Sequence, residues 1–167
     1  MFEPLEKFEI FRTKVDLPAD LIENIYALKK LDTGTPKTNY GGWHSKTFTP
    51  YKNYYNGRYK WTQGFLEYLM SIAKTKWPNV QFNRAWFNLA HQGGNNRWHN
   101  HGKHPIVGVV YLQVPEGSSG IEFEKGSERF VYNPILGDFL IFPGSLEHRV
   151  LNHESSIDRI SLAINFD

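Results

Sequence analysis

Three histidines in the second half of the chain have types and spacings that suit a metal site. His99 and His101 are separated by one residue, and on an extended strand that spacing directs both imidazoles to one face. His148 lies far downstream, just past another predicted strand. A strand pair plus one distant ligand is how a β-scaffold builds a three-ligand site with open positions. An H-x-H pair alone is more often two solvated histidines, so the neighbouring sequence must decide.

The last predicted strand, residues 157–166, has two chemically different faces. One face carries Arg159, Ser161, Ala163 and Asn165, and the other carries Ile160, Leu162, Ile164 and Phe166. If the first face lines an interior, Arg159 needs an anionic partner, because an unpaired buried charge is costly. A guanidinium suits two-point binding of a carboxylate, and Ser161 could add a hydroxyl contact. The alternative is an edge strand with Arg159 solvated, or paired with Asp158 or Glu122.

A metal ion and an acid-binding arginine in one pocket would suit a particular kind of ligand. An oxo-acid could chelate the metal while its far carboxylate meets Arg159. That arrangement describes a co-substrate with an acid group at each end.

The elements that must position these residues fall into helices first and strands second. Pro18 and Asp20 open a predicted helix that runs to about residue 31, after an early strand at 8–15, and a second helix spans about 61–77. The remaining predicted strands are 82–90, 98–101, 105–114, 120–124, 129–132, 137–142 and 157–166, with 91–96 as a turn. This order predicts an α+β domain, mainly β, with helices on one face of a sandwich or barrel.

Residues 32–60 between the predicted helices are irregular, glycine-punctuated and rich in tyrosine. A loop of this kind could cover a pocket as a lid, or simply pack on the surface.

Length and composition exclude several classes. A chain of 167 residues suits one domain, and 16% aromatic residues favour a ring-rich core or pocket. A net charge of +2 is too balanced to indicate nucleic-acid or membrane binding. The absence of cysteine excludes disulfides, zinc thiolates, iron–sulfur clusters and thiol nucleophiles. No signal peptide or membrane-spanning run is recognisable, so a cytoplasmic location is expected.

Segments 99–101, 108–117, 134–150 and 158–166 together resemble the iron(II)/2-oxoglutarate-dependent dioxygenases. More narrowly, they resemble small bacterial and phage oxygenases distantly related to prolyl hydroxylases, as does the segment 39–45. The resemblance covers about residues 81–167. It implies a double-stranded β-helix (a cupin-like jelly roll) at 81–167, with two N-terminal helices on one face and residues 1–80 as helical support, all in one domain of 1–167.

The resemblance implies that Fe(II) is held by His99, His101 and His148. The wider family has an acidic residue at the second position, so a carboxylate from elsewhere in the chain remains an alternative ligand, as does another nearby histidine. These alternatives are Glu122, Asp138 and His104. The remaining histidines, His44, His91 and His153, are interpreted as surface or loop residues.

The same resemblance implies that 2-oxoglutarate binds Arg159 and Ser161 through its distal carboxylate. Tyr111 or Asn88 would add a hydrogen bond, and dioxygen would take the remaining metal position. Candidates on the substrate side are Tyr40, Trp43 and His44.

The predicted activity is hydroxylation of a small molecule or peptide, with release of succinate and CO2. The substrate and the oligomeric state are open. Two other classes compete: a three-histidine cupin-type iron dioxygenase that does not use 2-oxoglutarate, and a non-enzymatic binding module of the same architecture.

Overall fold

Strand-forming residues dominate the chain from residue 82 onward, and they build most of one antiparallel sheet. The computed structural model describes residues 1–49 and 57–167. The strands are β1 Glu3–Pro4, β2 Phe11–Lys14, β3 Asn39–His44, β4 Phe82–His99, β5 Ile106–Gln113, β6 Ile121–Lys125, β7 Glu128–Tyr132, β8 Asp138–Pro143, β9 Glu147–Val150 and β10 Arg159–Phe166. The helices are α1 Leu21–Leu31 and α2 Gln63–Lys74, the second preceded by a 3₁₀ turn at Lys60–Thr62.

The sheet order is β1-β2-β8-β5-β10-β4-β9-β6-β7, with β3 also paired to β4. The long strand β4 connects the two halves of the sheet: its first part pairs with β10 and its end pairs with β9. Side chains from β4, β5, β6, β9 and β10 line one cavity, so the sheet curls around that cavity. The predicted mainly β architecture with two N-terminal helices is confirmed at this level.

The apolar face of β10 packs against both helices. Its members Ile160, Leu162 and Phe166 share one buried cluster with Ile25 of α1 and Leu69 of α2. Burial of apolar surface stabilises the fold by about 25 cal/mol for each Å² removed from water. It also fixes the register of β10, because a shift by one residue would move its apolar side chains out of the core. The polar face of β10 is therefore turned toward the cavity.

Two local predictions were wrong, and one strand was not predicted. Residues 91–96 are not a turn, since they continue β4, and the irregular region contains β3. His148 follows β8 as expected, but it lies in a further strand, β9. The glycines explain the first error. Gly93 has a φ of +83°, and a Cβ on Gly94 would press on the backbone of β3, so these residues permit a distorted strand and a close approach of β3.

The predicted lid falls partly on residues 50–56, which lie outside the described residues. No helix among the described ranges is long and apolar enough to cross a membrane.

Candidate metal and co-substrate site

The three predicted ligands come together where β4 and β9 meet. His99 ends β4 and is the direct partner of His148 on β9, while His101 lies just beyond the end of β4. The candidate ligand atoms of the three side chains all lie within 4.8 Å of one another, and Nε2 of His101 is 3.3 Å from Nε2 of His148. The triad is positioned for metal binding. The expectation that His101 shares the strand with His99 was wrong, because the strand ends first.

Backbone carbonyls fix the orientation of two of these rings. Nδ1 of His99 lies 2.7 Å from the carbonyl oxygen of Arg97, and Nδ1 of His148 lies 2.9 Å from that of Leu146. A carbonyl oxygen only accepts, so each Nδ1 carries the proton and each Nε2 keeps its lone pair. This arrangement is usual for metal-binding histidines.

Burial also keeps the triad neutral. It lowers the pKa of His99 and places that of His148 well below its ordinary value. Burial, helped by the neighbouring imidazoles, lowers the pKa of His101 to about 4. Near neutral pH no proton then competes with a cation for these nitrogens.

The alternative ligands are engaged elsewhere. Glu122 accepts a hydrogen bond of 2.6 Å from Nε of Arg149, and Asp138 accepts one of 2.7 Å from the Tyr132 hydroxyl. Nδ1 of His104 lies 2.8 Å from a side-chain carboxylate oxygen of Asp167. Among the described residues, the cluster suited to a metal contains the three histidines alone.

Arg159 is enclosed in the same cavity. Strand β10 lies between β5 and β4, and the Arg159 residue is only 3% exposed, which contradicts an edge position. None of the ion pairs among the described residues involves Arg159, and its Nε is buried without a hydrogen-bond partner. Asp158 instead lies 2.8 Å from Nδ1 of His91, and Glu122 pairs with Arg149.

Further polar side chains surround this guanidinium. The guanidinium carbon lies 5.2 Å from the ring centre of Tyr111, whose buried hydroxyl has only that guanidinium as a hydrogen-bonding neighbour within the described chain. Burial raises the pKa of Tyr111 to about 12, so the hydroxyl stays protonated and able to donate. Asn88 Oδ1 is likewise buried without a partner, and Ser161 lines the same cavity. Each unpaired buried group costs about 1–3 kcal/mol, so the set favours a polar ligand.

The substrate-side candidates separate into different environments. Tyr40 is 72% exposed and is not part of the cavity wall. Trp43 belongs to the hydrophobic core, where its indole nitrogen donates to the carbonyl oxygen of Asp32 at 2.9 Å. His44 does line the cavity and is buried, so its interpretation as a surface residue was wrong. His153 lies in a loop, as expected, but it is buried there, with Nε2 2.7 Å from a backbone carbonyl.

Sequence reasoning missed two cavity residues on β4. Trp86 stacks between His44 and His101, and its ring centre lies 5.6 Å from each of theirs. This contact helps to hold the His101 ring in place, because His101 lies beyond the end of β4. Arg84 lies two residues before Trp86, on the same face. The alternation of a strand could have predicted both residues, because Arg84 and Trp86 lie on the same face as Asn88. The whole cavity measures about 340 Å³, within the usual range for small-molecule sites.

Comparison with known proteins identifies the fold. Neither a protein-family model nor a curated protein matches the sequence. Among solved structures, an oxidoreductase of the 2OG-Fe(II) oxygenase family from Burkholderia pseudomallei matches with a TM-score of 0.71 and 11% identity, over 95% of this chain and 84% of that one. The chain has the fold of the 2-oxoglutarate/Fe(II) oxygenases.

Two prolyl hydroxylases share this oxygenase fold. The prolyl-4-hydroxylase of Pseudomonas putida matches with a TM-score of 0.61 and 16% identity, over 94% of this chain and 91% of that one. A prolyl hydroxylase from Trichoplax adhaerens, solved with a hypoxia inducible factor peptide, matches with a TM-score of 0.64 and 9% identity, over 94% and 82% of the two chains.

Proposed function

We propose that this protein is an Fe(II)/2-oxoglutarate-dependent dioxygenase. It hydroxylates a small molecule or a peptide and releases succinate and CO2. His99, His101 and His148 hold the metal, and the curled sheet is the double-stranded β-helix that carries them. The whole chain serves as one oxygenase domain.

The proposal rests mainly on Arg159, which is buried without an ion-pair partner in the same cavity as the three neutral histidines. Arg159 has no anionic partner among the described residues, although an uncompensated buried charge costs several kcal/mol. A carboxylate of a bound ligand would remove that cost by pairing with Arg159, and the other end of the same ligand would face the histidines. The distal carboxylate of 2-oxoglutarate fits this role, with Ser161 as a second contact.

The unpaired atoms beside Arg159 complete the co-substrate pocket in this proposal. The Tyr111 hydroxyl donates to a ligand oxygen, because its raised pKa keeps it protonated. Asn88 adds an amide contact from the adjacent strand. These groups orient the co-substrate, and the surrounding apolar wall excludes water.

The oxidising power belongs to the cofactors: Fe(II), with 2-oxoglutarate and dioxygen, supplies the oxidation of a C–H bond. The protein holds the metal through imidazoles that carry no charge of their own. A dianionic co-substrate is therefore attracted by the full charge of the ion as well as by Arg159.

Two other functions explain fewer of these features. A three-histidine cupin-type dioxygenase would explain the metal ligands, but its reaction would provide no anionic partner for the buried Arg159. A binding module would leave the neutral triad without a role. A peptide substrate remains within the proposal, and the Trichoplax enzyme, solved with a bound peptide, offers a precedent on the same fold.

The decisive experiment is anaerobic titration of 2-oxoglutarate into the Fe(II)-loaded protein. We expect a saturable charge-transfer absorbance in the visible range, and its loss in His99→Ala. Bound iron without that absorbance would favour the cupin-type alternative. Failure to bind iron would leave the binding module as the better interpretation.

A further inference from the structure

The described wall of the cavity carries positive charge and no acidic side chain. Its charged members are Lys37, Arg84 and Arg159. Neutral ligands leave both charges of a divalent metal uncancelled, and a dianionic co-substrate would cancel only those two. Arg159, Arg84 and Lys37 would then remain as net positive charge around the space for the second substrate.

The two arginines lie at opposite ends of this wall. Strands β4 and β10 run side by side, with Arg84 opposite Asn165 and Arg159 opposite Ala90. The two ends are six residues apart along each strand, a distance of roughly 20 Å between backbones. Arg159 is at the closed, buried end, while Arg84 is exposed at the open end. Arg84 is therefore left, together with Lys37, for a ligand other than the co-substrate.

The cations at the open end are not neutralised by the protein. Arg84 donates its Nε to the amide oxygen of Asn83 at 2.9 Å, and no carboxylate pairs with it among the described residues. Lys37 is exposed and forms no ion pair among the described residues either. Burial lowers the pKa of His44 in the cavity wall, and the positive charge of Lys37 lowers it further, so Lys37 lies close to the cavity. Both side chains are free to meet an incoming anion.

A buried acceptor lies beside these cations. Oδ1 of Asn165 is buried, with the His101 ring as its one hydrogen-bonding neighbour among the described residues, and Asn165 is the direct cross-strand neighbour of Arg84. Asn165 also lies next to the metal ligand His101 in the cavity wall. It is placed to accept from a hydroxyl or amine of a molecule bound between Arg84 and the triad.

We propose that the substrate to be hydroxylated is a small anion, held by its carboxylate or phosphate group on Arg84 and Lys37. The cavity of about 340 Å³ must hold this molecule together with the co-substrate, which favours a metabolite-sized compound. This inference rests on the proposed function, because it assigns Arg159 to 2-oxoglutarate and the open end to the second substrate.

Nuclear relaxation in the Mn(II)-loaded protein with saturating 2-oxoglutarate tests this assignment. The probes are acetate, its neutral analogue acetamide, and inorganic phosphate. Mn(II) in the triad speeds the relaxation of nuclei that bind nearby. We expect saturable enhancement for acetate or for phosphate, and none for acetamide. Acetate alone would indicate a carboxylate substrate, and phosphate alone a phosphate ester.

Matched variants locate the effect. In Lys37→Gln/Arg84→Gln we expect anion affinity to fall by roughly tenfold or more, since two charge-assisted contacts are lost. Arg84→Lys should keep part of the affinity, and Lys125→Gln, which removes a distant surface charge, should keep all of it. Equal binding of acetamide, no anion binding, or an unaffected double variant would overturn the proposal. Relaxation of the 2-oxoglutarate protons reports separately on the proposed function, which fails if they are not enhanced.

Discussion

His99 and His148 occupy directly opposed positions on β4 and β9, and their ring centres lie 4.3 Å apart. Neutral imidazoles this close, with His101 beside them, form a site that a divalent cation completes. We expect Fe(II) or Co(II) to raise the free energy of unfolding by about 2.7 kcal/mol when free metal is a hundred times Kd. Thermal unfolding under anaerobic conditions, with and without chelator, measures this effect.

The control for the metal prediction is another histidine of the same chain. His148→Ala and His99→Ala should abolish the metal-dependent increase in Tm, whereas His91→Ala should retain it, because His91 is exposed and pairs with Asp158 outside the cavity. An increase that survives in His148→Ala would mean that the metal binds elsewhere.

Arg159 should govern co-substrate affinity without affecting the metal. In Arg159→Ala we expect the apparent affinity for 2-oxoglutarate to fall roughly 30-fold or more, as for loss of a buried charge-assisted pair. Arg159→Lys keeps the charge but loses the two-point geometry, so its affinity should be intermediate. Anaerobic absorbance titrations measure both variants, and metal-dependent Tm confirms that the triad is intact. Unchanged affinity in Arg159→Ala would refute the role assigned to this residue.

The cavity-facing residues of β10 were predictable because alternation is a local property of a strand. Arg159 and Ser161 share a face whatever the strand pairs with, and the apolar opposite face showed which side meets the core. The burial of Arg159 was not local, since it depends on β10 lying between β5 and β4. That is why an edge position had to remain an alternative.

The errors have a common physical origin in strand pairing. Residues 91–96 have turn-like composition, yet antiparallel pairing of β3 with β4 at both ends of this segment keeps them extended. Trp43 and Tyr40 were assigned to the substrate side on a resemblance, and the register of β3 directs Trp43 into the core instead. Neither pairing leaves a periodic signal in the sequence.

Tyr111 should show opposite effects on stability and on binding. Its buried hydroxyl has only Arg159 as a neighbour and receives no other hydrogen bond, so Tyr111→Phe should leave the free energy of unfolding unchanged or raise it by about 1 kcal/mol in the absence of ligand. The same change removes a donor to 2-oxoglutarate and should weaken its binding by roughly threefold to tenfold. Urea unfolding and absorbance titration measure the two effects. A destabilised variant with normal 2-oxoglutarate affinity would indicate a structural role instead.

The pairing of β3 with β4 should tolerate no side chain at Gly42. A Cβ at this position would overlap the carbonyl oxygen of Leu89, its neighbour on β4, so Gly42→Ala should lower the free energy of unfolding by about 1–3 kcal/mol or more. Gly64 in α2 is the matched control, because a Cβ there would meet nothing within 4 Å. Gly64→Ala should raise stability by about 0.5–1 kcal/mol, since alanine loses less backbone entropy in a helix. Urea unfolding of both variants provides the comparison. Equal stability of the two proteins would mean that β3 does not pack on β4 as described, and the placement of His44 and Lys37 at the cavity would then need revision.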